Sequence, residues 1–384
     1  MPSLVVWAGA IGATILGLTW VAYPAAVGLV SVFFPRLRTD RSFQPSISVI
    51  LATRDPESVI RERVENLLDT LYPRDRMQVV VAVDASLSGP LPDLTGIEAW
   101  EGEAEILVVR GHEPGGKAQN LNAAAEVATG EILVFTDARQ RFTPETIPEL
   151  VAALAHPRIG GASGHLVLRR RTSGPSAVDL YWTLERWLRA REARIHSTVG
   201  VTGAVWALRA SVWDTLPPGL ILDDVYTPMR AVMKGHRIAH VRGAVAYETR
   251  APTPLHEHIR KTRTLTGNLQ LCAWMPEILM PWKNPLFLPF VLHKLFRLFT
   301  PFALLLILVS ALWALGTSTP ETGLPLVSAL ATLFLWLLVG WPPPARRLRG
   351  ALQEVVLTQV AVVRATVNGL RGRWDVWDRS DGPE

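Results

Sequence analysis

The stretch from Gly115 to Arg139 constrains the fold of this chain most. Gly115-Gly116-Lys117 opens a helix-forming segment rich in Ala, and the run Glu131-Ile132-Leu133-Val134-Phe135-Thr136 that follows ends at Asp137-Ala138-Arg139. A helix that returns to a β-branched strand is the repeating unit of a parallel α/β sheet, and open sheets of that kind bind ligands beyond the carboxyl ends of their strands. Asp137 therefore stands where ligands bind. The glycines allow close backbone approach, and Lys117 adds a positive charge where free backbone N–H groups already favour anions. Taken alone, the same residues are also compatible with an ordinary turn and a helix cap.

The alternation extends from Pro45 to about Met280. Ile47 to Ala52 reads as a first strand, and Thr53-Arg54-Asp55-Pro56-Glu57 opens a helix whose apolar face carries Val59, Ile60, Val64, Leu67 and Leu68. Gln78 to Val83 and Glu105 to Val109 read as the next strands, joined by an acidic surface connection from Ser88 to Gly102. Ser176 to His196 has helical spacing, with Tyr181, Trp182, Leu184, Trp187 and Leu188 on one side. That stripe suits a membrane surface, an acceptor groove or packing against the sheet.

The chain is 384 residues long and 49% apolar, and the apolar excess lies at its two ends. Leu4 to Val32 contains no charged residue and exceeds the roughly 20 residues that span a bilayer. Phe299 to Leu315 and Leu324 to Trp341 are two further candidate spans. Basic residues accumulate on the cytoplasmic side of membrane proteins. Here Arg36, Arg38 and Arg41 follow the first span, Lys283, Lys294 and Arg297 precede the second, and Arg346, Arg347 and Arg349 follow the third; Gly316 to Gly323 has none. The expected arrangement is multi-pass at the cell membrane, with a cytoplasmic middle domain and the amino terminus outside. Ala351 to Leu370, interrupted by Glu354 and Arg364, reads as an interfacial or re-entrant helix. The expected division is an anchor over 1–40, an α/β domain over 41–282 and a membrane region over 283–384. One cysteine, Cys272, excludes an intrachain disulfide framework, and no Cys/His cluster suggests structural zinc. The formal charge of +5 gathers at the membrane borders, which fits anionic lipid rather than nucleic acid.

Read together, these segments resemble the membrane-bound family 2 glycosyltransferases. The resemblance rests on Asp84-Ala85-Ser86 after a strand, Lys117, Leu121 and Asn122 in the Gly-Lys segment, Asp137 as the first acid of an Asp-x-Asp element, Gly203-Ala204, the pair Asp223-Asp224, and Arg263 in a basic segment with Gly267, Asn268 and Gln270 behind it. It spans roughly residues 45 to 300. It implies a GT-A-like α/β domain, Rossmann-like with a mainly parallel sheet, that takes a nucleotide-diphosphate sugar and transfers the sugar with inversion to a lipid-linked or polysaccharide acceptor in cell-envelope or exopolysaccharide synthesis. Asp224 would be the catalytic base, with Asp223 supporting it. Substrate contacts would come from Thr53, Asp55, Asp84, Lys117, Asn122, Asp137, Arg139, Gly203, Arg260 and Arg263.

Two departures from the family pattern matter. Arg139 stands where the second acid of Asp-x-Asp is expected, and a guanidinium has no lone pair for a cation. Asp137 would then hold Mg²⁺ or Mn²⁺ together with the diphosphate, or transfer would proceed without metal. Arg260 and Thr264 replace the Gln and Trp of the usual Gln-x-x-Arg-Trp, which weakens a processive polymer synthase. The remaining alternatives are a catalytically silent glycan-binding or assembly subunit and a processive polysaccharide synthase.

Overall fold

The computed structural model describes residues 2–94, 97, 104–167, 177–248, 254–317 and 345–376. The expected third span, Leu324 to Trp341, and the loop beyond Thr317 lie outside the described residues.

Eight strands form one sheet in the order β3-β2-β1-β4-β7-β6-β8-β5. They are β1 (Ile47–Thr53), β2 (Met77–Val83), β3 (Glu105–Arg110), β4 (Ile132–Thr136), β5 (Gln140–Phe142), β6 (Ile159–Val167), β7 (Val205–Arg209) and β8 (Arg237–Glu248). Strands β3, β2, β1 and β4 run parallel. Beyond them β7 lies antiparallel to both β4 and β6, while β8 pairs parallel with β6 and antiparallel with β5. The expected mainly parallel sheet is thus present, with its parallel pairs in the amino-terminal four strands and between β6 and β8. Every residue of β1 and β2 is buried, as strands covered on both faces require.

The twofold alternation of strand side chains divides the core into two layers. Val49, Leu51, Val79, Val81 and Val134 face α3 (Glu57–Leu68) and α5 (Thr146–Ala153). Ile50, Val80, Leu133, Phe135 and Trp206 face α4 (Lys117–Val127), α7 (Asp223–Met233) and α8 (Pro254–Trp274). Thr53 ends β1, and α3 begins only at Glu57, a few residues later than the sequence suggested.

Two helical stretches among the described residues are long and apolar enough to cross a membrane, Leu4–Phe33 and Phe287–Ala314. The first comprises α1 (Pro2–Gly17), a π turn and α2 (Tyr23–Val30). The second runs into α9 (Thr300–Thr317). Their outward residues are exposed, including Leu4 at 72% and Leu305 at 56%. Small residues let α1 and α9 approach closely, since a Cβ on Gly12 would come within 2.6 Å of the Ala303 carbonyl oxygen.

Helix α6 (Ala177–Ile195) uses its aromatic stripe against the amino-terminal helix: Leu188 packs with Tyr23 and Val27, and the Trp187 ring lies against Gly28. The last helix, α10 (Ala345–Leu370), contains the expected interfacial segment and packs along α8, with Gly369 against Leu269 and Lys261 Nζ donating to Thr358 Oγ1 at 2.9 Å.

Candidate active site

The site is built at the carboxyl edge of the parallel strands. Asp84 follows β2, and both of its oxygens are engaged. Oδ1 accepts from Ser86 N–H at 2.9 Å and Ser86 Oγ at 2.6 Å; Oδ2 accepts from Gly116 N–H at 2.9 Å and Asn120 Nδ2 at 3.2 Å. Burial alone would raise its pKa, but these donors hold it below the usual range. Asp84 thereby closes the Asx turn allowed by the sequence and ties the glycine loop to β2. Gly115 and Gly116 have φ of +90° and +91°, and a Cβ on Gly115 would meet Asp84 Oδ1 at 2.7 Å.

That tether fixes the start of α4 and aims Lys117. Its ammonium donates to Asp137 Oδ1 at 3.0 Å and lies 3.8 Å from Asp223 Oδ2, joining the end of β4 to the start of α7. Burial would lower its pKa, but Asp137, Asp223 and Asp224 more than reverse this and hold the ammonium charged.

Asp223 and Asp224 occupy the first turn of α7, where the helix dipole favours negative charge. Asp223 is buried, and its Oδ2 has no hydrogen-bond partner among the described residues. The Asp224 carbonyl accepts from Val201 N–H at 2.8 Å, and its carboxylate lies 3.5 Å from where a Gly203 side chain would begin. Burial, followed by repulsion from Asp223, pushes the Asp224 pKa up to about 6 against the opposing charges of Lys117, Arg189 and Lys294. A carboxylate with that value exchanges protons close to neutral pH.

The other expected contacts divide. Arg139 pairs with Asp55 at 2.8 Å, and Thr53 Oγ1 receives the Asp55 N–H at 2.9 Å, so these three form one rim unit. Gly203 lies under Asp224. Asn122 is directed elsewhere, for both ends of its amide bind the Leu216 backbone at 2.9 and 2.8 Å in a buried setting. Arg260 and Arg263 lie on α8, where the Arg260 guanidinium sits over the Trp182 ring at 5.3 Å.

Three supporting residues were given no role by the sequence reading, although Gln270 was part of the family pattern. Gln270 on α8 accepts the Ile221 N–H and donates to the Gly219 carbonyl, both at 2.9 Å, bracing the segment that delivers Asp223 and Asp224. Arg63 is fully buried beneath β4, donating to Thr136 Oγ1 at 2.6 Å next to Asp137. Its signal was present in the sequence, a charge on the apolar face between Ile60 and Leu67. Asn120, one turn beyond Lys117, is the second anchor for Asp84.

No group of three metal-ligating side chains occurs among the described residues. Asp137 and Asp223 do flank Lys117, and Asp223 Oδ2 pairs with that ammonium at 3.8 Å without a hydrogen bond. One or two carboxylates completed by substrate phosphates are a common setting for Mg²⁺, so this donor set fits a cation shared with a diphosphate.

Residues 45–267 match the family described as glycosyltransferase like family 2. The chain belongs to this family. Among curated members it is 23% identical over 251 residues to the probable glycosyltransferase YdaM of Bacillus subtilis, covering 61% of this chain and 58% of that one. It is 26% identical over 192 residues to the beta-monoglucosyldiacylglycerol synthase of Trichormus variabilis, covering 47% and 39%. The match therefore spans about half the length of these relatives. Among solved structures, the mannosyltransferase PcManGT from Pyrobaculum calidifontis, in complex with GDP-Man and Mn²⁺, superposes with a TM-score of 0.69 at 22% identity, over 95% of this chain and 99% of that one. That likeness establishes the GT-A-like fold.

Proposed function

We propose that this protein is a nucleotide-sugar-dependent, inverting glycosyltransferase working at the cytoplasmic face of a membrane, with a lipid-linked or glycan acceptor in cell-envelope or exopolysaccharide synthesis. The reading rests on the convergence of Lys117, Asp137, Asp223 and Asp224 at the carboxyl edge of the sheet. The domain division drawn from the sequence, membrane attachment through the two apolar helices, and the inward basic flanks belong to the same proposal. The relative that makes glucosyldiacylglycerol supports a lipid acceptor, and the neighbour holding GDP-Man and Mn²⁺ supports a nucleotide-sugar donor with a divalent cation.

In this mechanism the acceptor hydroxyl oxygen attacks the anomeric carbon from the face opposite the leaving group. Its proton passes to Asp224, and the electron pair of the breaking bond departs with the nucleoside diphosphate. Lys117 stabilises the charge that develops on that leaving group. Arg139, held by Asp55, and Arg263 would contact the diphosphate, while Asp84 keeps the glycine loop in place. A Mg²⁺ or Mn²⁺ ion held by Asp137, with Asp223 beside it, would supply further charge neutralisation.

The experiment screens nucleotide sugars for donor turnover by purified full-length protein in detergent, alongside Asp224→Asn. Loss of a general base costs about 10²- to 10⁴-fold in rate with donor binding retained. A folded Asp224→Asn protein that transfers sugar at the parental rate would return Asp224 to a helix-capping role. A wild-type protein that turns over no donor would be the silent subunit instead.

A further inference from the structure

A buried cation lies on the face of the sheet opposite Asp224, and no acid bonds it. Arg63 of α3 is 0% exposed among Ile60, Val64 and Leu67, and no carboxylate pairs with its guanidinium among the described residues. Its partners are all neutral. Nη1 donates to Asn66 Oδ1 and Nη2 to Thr136 Oγ1 at 2.6 Å, the Phe142 ring centroid lies 4.2 Å from the guanidinium carbon, and Nε has no hydrogen-bond partner. Burial and the neighbouring charge of Arg141 pull its pKa down, and the charge of Asp137 opposes them. A leucine would fill this apolar face without the cost of a desolvated charge, so packing alone does not account for an arginine here.

What these partners share is their place in the chain. Thr136 ends β4 immediately before Asp137, and Phe142 ends β5 immediately after Arg141. Asn66 holds the Phe142 backbone from both sides, accepting its N–H at 2.9 Å and donating to its carbonyl at 3.1 Å. One guanidinium therefore pins both ends of the segment 137–141, which carries Asp137 and Arg139. Between the pins the segment is closed on itself, since Arg141 Nη1 donates to the Ala138 and Gln140 carbonyls at 3.1 and 3.2 Å. The Thr136 hydroxyl also lies 3.2 Å from the Ala204 carbonyl oxygen, which joins the same pin to the turn beneath Asp224.

Resting on the reading of Asp137 and Arg139 as contacts to the donor diphosphate, we propose that Arg63 is a positioning residue for donor binding, holding the segment 137–141 from within the core in the course that presents both side chains to the diphosphate. A guanidinium suits this task because it donates in two directions and offers a flat face to an aromatic ring, which no apolar side chain can do. Arg63 touches no substrate and acts only through the segment it holds.

The test uses full-length protein in detergent with Mn²⁺. Calorimetry measures the binding of GDP and UDP, and ligand-observed NMR measures guanosine and uridine. Arg63→Met keeps the length of the side chain without its charge or donors. The Kd of the diphosphate that the parent binds should rise about tenfold or more, and the donor KM with it, while the matching nucleoside binds as before. Arg63→Lys keeps the charge but reaches one end of the segment only, so it should recover part of the loss. Should Arg63→Met fail to fold, Phe142→Leu removes the ring beside the guanidinium, keeps the core filled and should show a smaller loss of the same kind. Parental diphosphate affinity in a folded Arg63→Met protein, or in Phe142→Leu where that one does not fold, overturns the proposal and leaves Arg63 a core residue. Equal losses of nucleoside and diphosphate binding also overturn it, because they report a general loosening of the domain. A parent that binds neither diphosphate and turns over no donor would instead refute the glycosyltransferase reading, and this proposal with it.

Discussion

If Asp224 is the base, as proposed, Asp223→Asn isolates the charge that tunes it. Asp224 lies at about 6 rather than 3.8, and burial is the larger cause with Asp223 the next. Removing the Asp223 charge keeps burial, the larger of the two raising causes, so a fall on the order of 0.5 to 1 pH unit is expected. The direction follows from repulsion: without its neighbour's charge, Asp224 ionises at lower pH. The base works ionised, so kcat/KM falls on the acid side with a midpoint near 6 in the parent. If the midpoint moves to about 5.3, the ionised fraction at pH 5 rises from roughly one tenth to one third, and the rate relative to the plateau rises about three- to fourfold. The assay is initial-rate donor turnover across roughly pH 4.5 to 8, each profile scaled to its own plateau because Asp223 also faces Lys117. Where turnover is too slow to profile, carboxylate infrared difference spectra of isotope-labelled protein report the same titration. A midpoint that stays in place in a folded Asp223→Asn protein would mean that the acid limb belongs to another group. The same raised pKa has a stability consequence: Asp224 favours the folded state fully below its ordinary value of 3.8, and this contribution is lost as pH rises through about 6.

Two further expectations follow from the geometry. Gln270→Leu removes two side-chain hydrogen bonds to the backbone next to the proposed catalytic pair, so kcat should fall about tenfold with donor affinity retained, alongside a stability loss of about 1–3 kcal/mol in thermal unfolding; an unchanged kcat in the folded variant would show that Gly219 to Leu222 keeps its course unaided. Asp137→Ala should cripple donor binding and abolish any response to Mg²⁺ or Mn²⁺, whereas Arg139→Asp should alter that response by placing a second acid near Asp55. Identical metal titrations for Arg139→Asp and the parent would put Arg139 outside the diphosphate site.

The sequence by itself determined the α/β class, the two apolar helices and the polar residues that stand at the strand ends. Strand alternation, glycine conformational freedom and a Lys at a helix start are properties of contiguous residues, so Asp84, Lys117 and Asp137 were legible before any contact was known. Tertiary structure alone decided which distant residues meet. Arg139 reaches Asp55 across 84 positions, Asn122 turns to Leu216 across 94, and Glu185 gathers Arg297 across 112, and no local pattern encodes such pairings. The antiparallel entry of β7 likewise depends on where the chain re-enters the sheet after α6. The shift of Asp224 has the same origin, because burial and neighbouring charge are set by packing around a side chain and not by the residues on either side of it.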